Sequence, residues 1–355
     1  MSMTFAVLLA VHGLIHLLGL TRPDAILWGT AATLFVAAGL SLFVWPRWWW
    51  ALGALAVAVS MIPIAQNWTE ARMGAAVNGV ILMGVVFGFL AQGPFSLRAQ
   101  YDRDVRQVLD RPARANTLRE ADLAGLPAPV RRYLHLAGVI DRPRVRTFHV
   151  RMHGRIRSGP DASWMPISAE QVNVVEAPAR LFYLTGRMRG LPVQGFHRYV
   201  GSSASMVVKA AALVSVVRAS GPQMDRAETV TMFNDMCVMA PATLAGSSIE
   251  WTAVDDRRAR ARFTNGIHTI AAELVFNAHD ELVDFWSDDR SVAEAGGPAR
   301  RIRWSTPLGS YRTFGQVRVA SRGTARWHEP AGEYAYIELT IDDIQYNKQA
   351  GKGRV

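Results

Sequence analysis

"RVRTFHVRMHGRIR", residues 144–157, alternates with a period of two: Phe148, Val150, Met152 and Ile156 fall on one side, and His149, Arg151, His153, Arg155 and Arg157 on the other. Successive side chains of a strand point to opposite faces, so this pattern predicts a strand with one buried and one charged face. "RARARF" (258–263) repeats it, setting Ala259, Ala261 and Phe263 against Arg258, Arg260 and Arg262. "QVRVASRGTARWH" (316–328) does the same, with Val317, Val319, Ala325 and Trp327 opposite Arg318, Arg322, Arg326 and His328. Further strands are predicted over 168–176, 180–188, 212–219, 248–254, 268–277, 281–287 and 333–342, divided by turn signals such as "SGPD" (158–161) and "TNG" (264–266). Turns this short join antiparallel neighbours, because parallel strands need long crossovers.

One segment breaks the alternation. "DRAETVTMFNDMCVMAPATL" (225–244) has a helical period, with Val230, Phe233, Cys237 and Ala240 as its apolar stripe and Asp225 and Glu228 at capping-box spacing. A curved sheet wrapped around one such helix buries both apolar faces. The expected fold of this part is therefore α+β, an antiparallel meander or half-barrel around a helix. Its element order resembles the unclosed β-barrels of bacterial lipoprotein-carrier and lipid-binding proteins. Upstream, "LPAPVRRYLHLAG" predicts a short helix opened by prolines and ended by Gly138.

The first 92 residues are of another kind. Four apolar stretches, 3–20, 25–45, 48–65 and 74–92, are each near the ~20 residues that a helix needs to cross a bilayer. "TRPD" (21–24), "PR" (46–47) and "QNWTEARM" (66–73) are the expected breaks. Trp45, Trp48, Trp49, Trp50 and Trp68 lie at these boundaries, where amphipathic rings favour the headgroup zone. The first stretch lacks a basic n-region and an A-x-A cleavage site, so it is expected to be retained. Arg47, Arg98, Arg103, Arg106 and Arg111 share one side of a four-span topology and only Arg22 and Arg72 the other. The positive-inside rule then places the following domain in the cytoplasm of a bacterium, at its plasma membrane.

The expected organisation is a four-helix transmembrane domain (1–92), a charged juxtamembrane connector (93–125), a β-rich domain (126–347) and a tail (348–355). Of the net charge of +10, nearly all falls after residue 92. The connector's arginines are expected near anionic headgroups. A single cysteine, Cys237, excludes an internal disulfide and a multi-cysteine metal site.

"LPAPVRRYL" (126–134), "PDASWMPISAEQ" (160–171), "RMRGLPVQG" (187–195), "WSTPLGSYRTFG" (304–315) and "RGTARWHEPAGEYAYIELTIDDIQYN" (322–347) together resemble an uncharacterised bacterial family of unknown function. Some of its members carry an N-terminal bundle with an opening similar to "HGLIHLLG" (12–19). The resemblance implies an architecture and no catalytic residue.

Two groups of residues are candidates for chemistry. His12 and His16 stand one helical turn apart in an apolar helix, with Asn78 of the fourth span as an additional donor. They are placed to hold a metal, haem or quinone, or to pack helices together. Trp164, Glu170, Arg187, Trp304, Tyr311, Arg312 and His328, from the family-like blocks, are expected either to line the mouth of a ligand cavity or to be core aromatics with arginine partners. His149 and His153 lie about 13 Å apart on one strand face and are read as solvated.

P-loop, G-x-G-x-x-G, H-E-x-x-H and G-x-S-x-G patterns are absent, as are nucleic-acid-binding motifs, so neither a well-marked enzyme class nor a nucleic-acid partner is expected. The arginine-rich sheet face suits anionic lipid, or is simply the solvated side of a one-sided sheet. The leading expectation is a non-enzymatic, membrane-anchored protein holding a lipid or other apolar ligand. The alternatives are a redox component using His12 and His16, and a membrane scaffold or sensor.

Overall fold

A computed structural model describes residues 3–110, 116–292 and 300–348. Arg111 of the charge count and residues 349–355 of the expected tail lie outside them. The chain divides into two compact units, Met1–Gln100 with Ala211–Val214, and Tyr101–Ala210 with Ser215–Val355.

The first unit holds α1 (Met3–His16), extended by a 3-10 turn to Thr21, then α2 (Ala25–Val44), α3 (Trp49–Gln66) and α4 (Trp68–Gln92). Four helical segments here are long and apolar enough to cross a membrane. α4 starts earlier than expected: of the predicted break at 66–73, only Asn67 separates two helices. Polar contacts hold that junction. Asn67 Oδ1 accepts from Arg22 at 2.6 Å, Asn67 Nδ2 donates to Asp24 at 3.1 Å, and Arg22 also pairs with Glu70.

Small residues let the helices approach closely. A Cβ on Gly13 would stand 2.9 Å from the Ala32 carbonyl oxygen, and one on Gly88 would overlap the Trp49 ring. Trp49 is the first residue of α3, just after the predicted turn. It is buried in the bundle core with Leu9, Phe35 and Val85, whereas Trp45, Trp48 and Trp68 are exposed.

α5 (Leu97–Leu109) runs through the expected connector. Within the second unit its Tyr101 ring packs 5.6 Å from Tyr183 and 5.8 Å from Phe196, and Asp104 accepts from Arg198 at 2.9 Å. α6 (Ala128–Ala137) opens after Pro127 and closes at Gly138, whose φ of 68° is one that glycine adopts readily.

The strands are β1 (Thr147–Ile156), β2 (Met165–Val174), β3 (Ala179–Met188), β4 (Leu191–Val200), β5 (Ser203–Ala210), β6 (Val214–Ser220), β7 (Ile249–Asp255), β8 (Arg258–Asn265), β9 (His268–Phe276), β10 (Leu282–Ser287), the two-residue pair β11 (Ser291–Val292) and β12 (Arg300–Arg301), β13 (Trp304–Ser305), β14 (Leu308–Phe314), β15 (Val317–Glu329) and β16 (Gly332–Tyr346). β4, β5 and β11 to β14 are additions to the predicted set. The main sheet runs β6-β5-β4-β3-β2-β1-β16-β15-β13-β10-β9-β8-β7, with β14 on β15.

Its two edges, β6 and β7, do not pair with each other, so the curled sheet stays open. They are consecutive in the chain, and the segment joining them is α7 (Pro222–Met239) with a 3-10 turn at Pro241–Ala245. A connection from one edge of a sheet to the other has to cross one of its faces, and α7 crosses the apolar one. Residues 227–239 of α7 are all buried, and Phe233 stacks on Phe263 at 5.0 Å. Phe148, Val150, Met152, Ala259, Ala261, Phe263, Val317, Val319, Ala325 and Trp327 are buried as their alternation predicts.

The capping box is corrected. α7 begins one turn earlier, at Pro222 after Gly221; Asp225 instead accepts from the Ala204 amide at 2.6 Å, and Glu228 is buried in an ion pair. The arginine-rich outer face is matched by carboxylates one strand away: Arg155 with Glu338 at 2.7 Å, Arg260 with Glu273 at 3.1 Å and Arg151 with Asp343 at 3.4 Å. Those residues are direct cross-strand partners, so this face neutralises much of its own charge. His153 donates into the same ladder through Asp342, while His149 is half-buried rather than solvated.

Candidate functional site

Between the concave sheet face and α7 lies a cavity of about 780 Å³. Met152, Phe182, Leu184, Val193, Val208 and Ile341 form much of its apolar wall. A volume of this size, mostly apolar with a few convergent polar groups, is characteristic of small-molecule sites.

The polar groups come from the cavity-facing side of α7, where Glu228, Thr231 and Asp235 are spaced by about one turn. Arg180 on β3 lies between the two carboxylates. Its Nε donates to Asp235 Oδ2 at 2.6 Å, its Nη1 to Glu228 Oε2 at 3.1 Å and its Nη2 to Gln171 Oε1 at 3.1 Å. Gln171 also donates to Asp235 at 2.8 Å. All four side chains are buried.

Burial pushes the Asp235 pKa up despite Arg180. Burial acts in the same direction on Glu228, but the neighbouring cations, Arg180 foremost and Arg290 with it, outweigh it and hold that carboxyl below its ordinary value. Arg290 donates from Nη1 to Thr231 Oγ1 at 2.6 Å, and its guanidinium stands 4.5 Å over Trp304 and 5.6 Å from Trp327. Two arginines thus face two carboxylates, and the polar zone is balanced in charge. His197, on the same wall, has its pKa lowered by burial to about 4, so it contributes a neutral ring at pH 7.

Of the seven candidates in the β-rich domain, only Trp304 lines this cavity, donating from Nε1 to the Tyr336 hydroxyl at 3.0 Å. Trp164 stands outside it, covered by the Arg155 and Arg157 guanidinium groups at 4.5 and 4.6 Å. Glu170 is on β2 in register with Arg151 of the outer face, and Arg187 is exposed near the β3–β4 turn. Tyr311 donates to the Leu282 carbonyl at 2.9 Å, Arg312 is exposed beside Phe314, and His328 bonds Ser305 at 2.8 Å. The seven do not form one site. The polar zone of the cavity instead brings together Arg180, Glu228, Asp235, Gln171 and Arg290, which sequence reasoning did not single out; the available signal was two acids seven residues apart on a helix enclosed by a sheet.

In the first unit, His12 and Asn78 do meet. The hydrogen bonds form a directed ring: His12 Nε2–H donates to Asn78 Oδ1 at 3.0 Å, Asn78 Nδ2 to Ser60 Oγ at 2.9 Å, Ser60 Oγ–H to His16 Nε2 at 2.7 Å, and His16 Nδ1–H to the His12 carbonyl at 2.9 Å. This assignment makes the His16 imidazole neutral and gives both of its nitrogens a protein partner. Three helices are tied together by it. Among the described residues no group of three or more His, Cys, Asp or Glu side chains is placed to hold a metal ion.

Residues 116–339 match the profile of a family of unknown function, DUF6544. The chain belongs to that family. No curated protein matches it. Among solved structures it is similar to a LolA superfamily protein from Nitrosomonas europaea, at 12% identity and a TM-score of 0.35, over 62% of this chain and 94% of that one. It is also similar to a DUF1329 family protein from Desulfovibrio piger, at 8% identity and a TM-score of 0.31, over 64% of this chain and 95% of that one.

Proposed function

We propose that this member of the family is a membrane-anchored, non-enzymatic binding protein whose β-rich unit holds a lipid or another amphipathic molecule close to the bilayer. The observation that carries the reading is the cavity of about 780 Å³ between α7 and the concave sheet. Its largely apolar wall rewards burial of hydrocarbon at roughly 25 cal/mol per Å². Its polar zone is already paired within the protein, so an uncharged hydrocarbon chain is accommodated without breaking an ion pair. Asn234 Nδ2 and Thr306 Oγ1, buried in the wall without a hydrogen-bond partner, are where a polar end would gain most.

The four apolar helical segments supply the anchor, and the arginine distribution favours the cytoplasmic side for the sheet. Native mass spectrometry and solvent extraction of the detergent-purified full chain test the ligand. A stoichiometric amphiphile that a fluorescent acyl probe displaces is the expected result; a chain that neither retains nor takes up such a molecule ends the proposal. A C-terminal reporter active only outside the cytoplasm would overturn the orientation alone.

A further inference from the structure

We infer that the lip of the cavity is built to rest on an anionic phospholipid surface, which deepens the ligand-binding reading by giving the cavity a route to the bilayer. The β3–β4 tip and the neighbouring ends of β5 and β6 within the second unit form this lip. Met188 pairs with Leu191 at the end of β3–β4, and Val193 pairs with Ala210, so the last residue of β5 lies at the same end of the sheet. Arg189 and Gly190, with φ of 50° and 83°, make the β3–β4 tip a tight turn that holds Arg189 at its apex.

The side chains here reverse what the rest of the sheet does with its surface. Met188, Leu191, Val216 and Val217 are 46%, 53%, 48% and 38% exposed. Met188, Val216 and Val217 also line the cavity, so the exposed apolar rim is continuous with the apolar interior. Interleaved with them are Arg187, Arg189, Lys209 and Arg218.

From Ala177 to Met224 the chain has six basic residues and no Asp or Glu. Arg180 and Arg198 have carboxylate partners from other segments. The remaining four face no carboxylate among the described residues, although elsewhere on this sheet arginines are matched one strand away. Exposed apolar side chains among unmatched cations suit one surface above others, a bilayer whose headgroups are anionic and whose acyl region takes the apolar tips.

The lone native cysteine makes the test specific, because Cys237 is buried and burial pushes its thiol well up. Met188→Cys and Val217→Cys, each labelled with an environment-sensitive fluorophore, would be placed as full-length protein in nanodiscs of phosphatidylcholine alone or with about one third phosphatidylglycerol. Ile267→Cys, 88% exposed in the β8–β9 turn, is the reference. Doxyl-labelled lipid should quench the two lip positions at least twofold more than position 267 in the anionic discs. The excess should fall away in phosphatidylcholine alone and in the Arg187→Glu/Arg189→Glu/Arg218→Glu variant.

Equal quenching at all three positions overturns the inference, as does lip quenching indifferent to headgroup charge and to charge reversal. Lip labels shielded only when two copies share a disc assign the surface to self-association and overturn it too. Ligand content measured on the same samples separates the readings: lip docking with an empty cavity defeats the ligand proposal alone, and a filled cavity with unquenched labels defeats the lip.

Discussion

Arg180 on β3 and Asp235 on α7 are joined by a 2.6 Å hydrogen bond from Nε to Oδ2, with both residues 7% exposed. Asn173 faces Arg180 across the β2–β3 ladder, and Glu228 takes the other side of the guanidinium. The bond fixes the helix against the first half of the sheet at one azimuth. Apolar packing alone is non-directional, so this network defines which face of α7 the cavity sees.

Removing one member should therefore be far worse than removing all. Arg180→Met leaves two buried carboxylates without their shared cation and should cost about 3–5 kcal/mol, read as a lowered unfolding midpoint of the purified full chain. Arg180→Met combined with Glu228→Met and Asp235→Leu should recover much of that loss. A triple variant as unstable as the single one would show that the network contributes more than charge compensation.

Filling the cavity should separate ligand from fold. Val208 lines the wall at the end nearest the lip, and Val208→Trp occupies space that the proposed ligand needs. Solvent extraction of the variant should yield severalfold less bound amphiphile, with a thermal midpoint no lower than that of the ligand-free wild type. Unchanged ligand content would place the binding site elsewhere.

Two groups should give opposite pH slopes. Burial lowers His197 from 6.5 to about 4, so the unfolded chain takes up a proton that the folded ring refuses, and stability is lost as pH falls from 6.5 towards 4. Burial raises Asp284 from 3.8 to about 6, so the folded carboxyl keeps a proton that the unfolded one releases, and stability is lost as pH rises from 3.8 through 6. Each slope is at most about 1.4 kcal/mol per pH unit, and the two oppose each other where they overlap. Relative to wild type, His197→Phe should gain stability on acidification below pH 6.5, and Asp284→Asn should gain it as pH rises to 6. Differences that stay flat from pH 4 to 8 would contradict both assignments.

What was legible in the sequence follows from how local each signal is. Alternation in 144–157, 258–263 and 316–328 reports burial of one face directly, and those strands form with the expected residues inside, apart from the half-buried Ile156 at the end of β1. β4 and β5 were missed because Gly195, Pro192 and a run of small residues blur the period of two. The cavity was harder still. Gln171, Arg180, Glu228 and Asp235 look individually like surface polar residues, and only the return of α7 across the sheet brings them together. The candidates drawn from family-like blocks were chosen for composition, and except for Trp304 they do not line the cavity. Asn78 was found because a polar side chain in an apolar helix has few places to go.

That residue leads to the last expectation, which concerns the helical unit. Gly88 and the ring of His12, Asn78, Ser60 and His16 both hold helices together, by close approach and by hydrogen bonds. Interhelical hydrogen bonds in bilayers average about 0.6 kcal/mol, so Asn78→Leu should lower the unfolding midpoint only slightly. Gly88→Ala places a methyl group inside the Trp49 ring and should cost more, about 1–3 kcal/mol, because a packed interior accommodates extra volume only by moving. Trp49→Leu introduced with Gly88→Ala should relieve the overlap and return part of the loss. If Asn78→Leu proves the more damaging change, the histidine ring does more than pack helices, and an optical spectrum and metal content of the full-length protein become the next measurements to make.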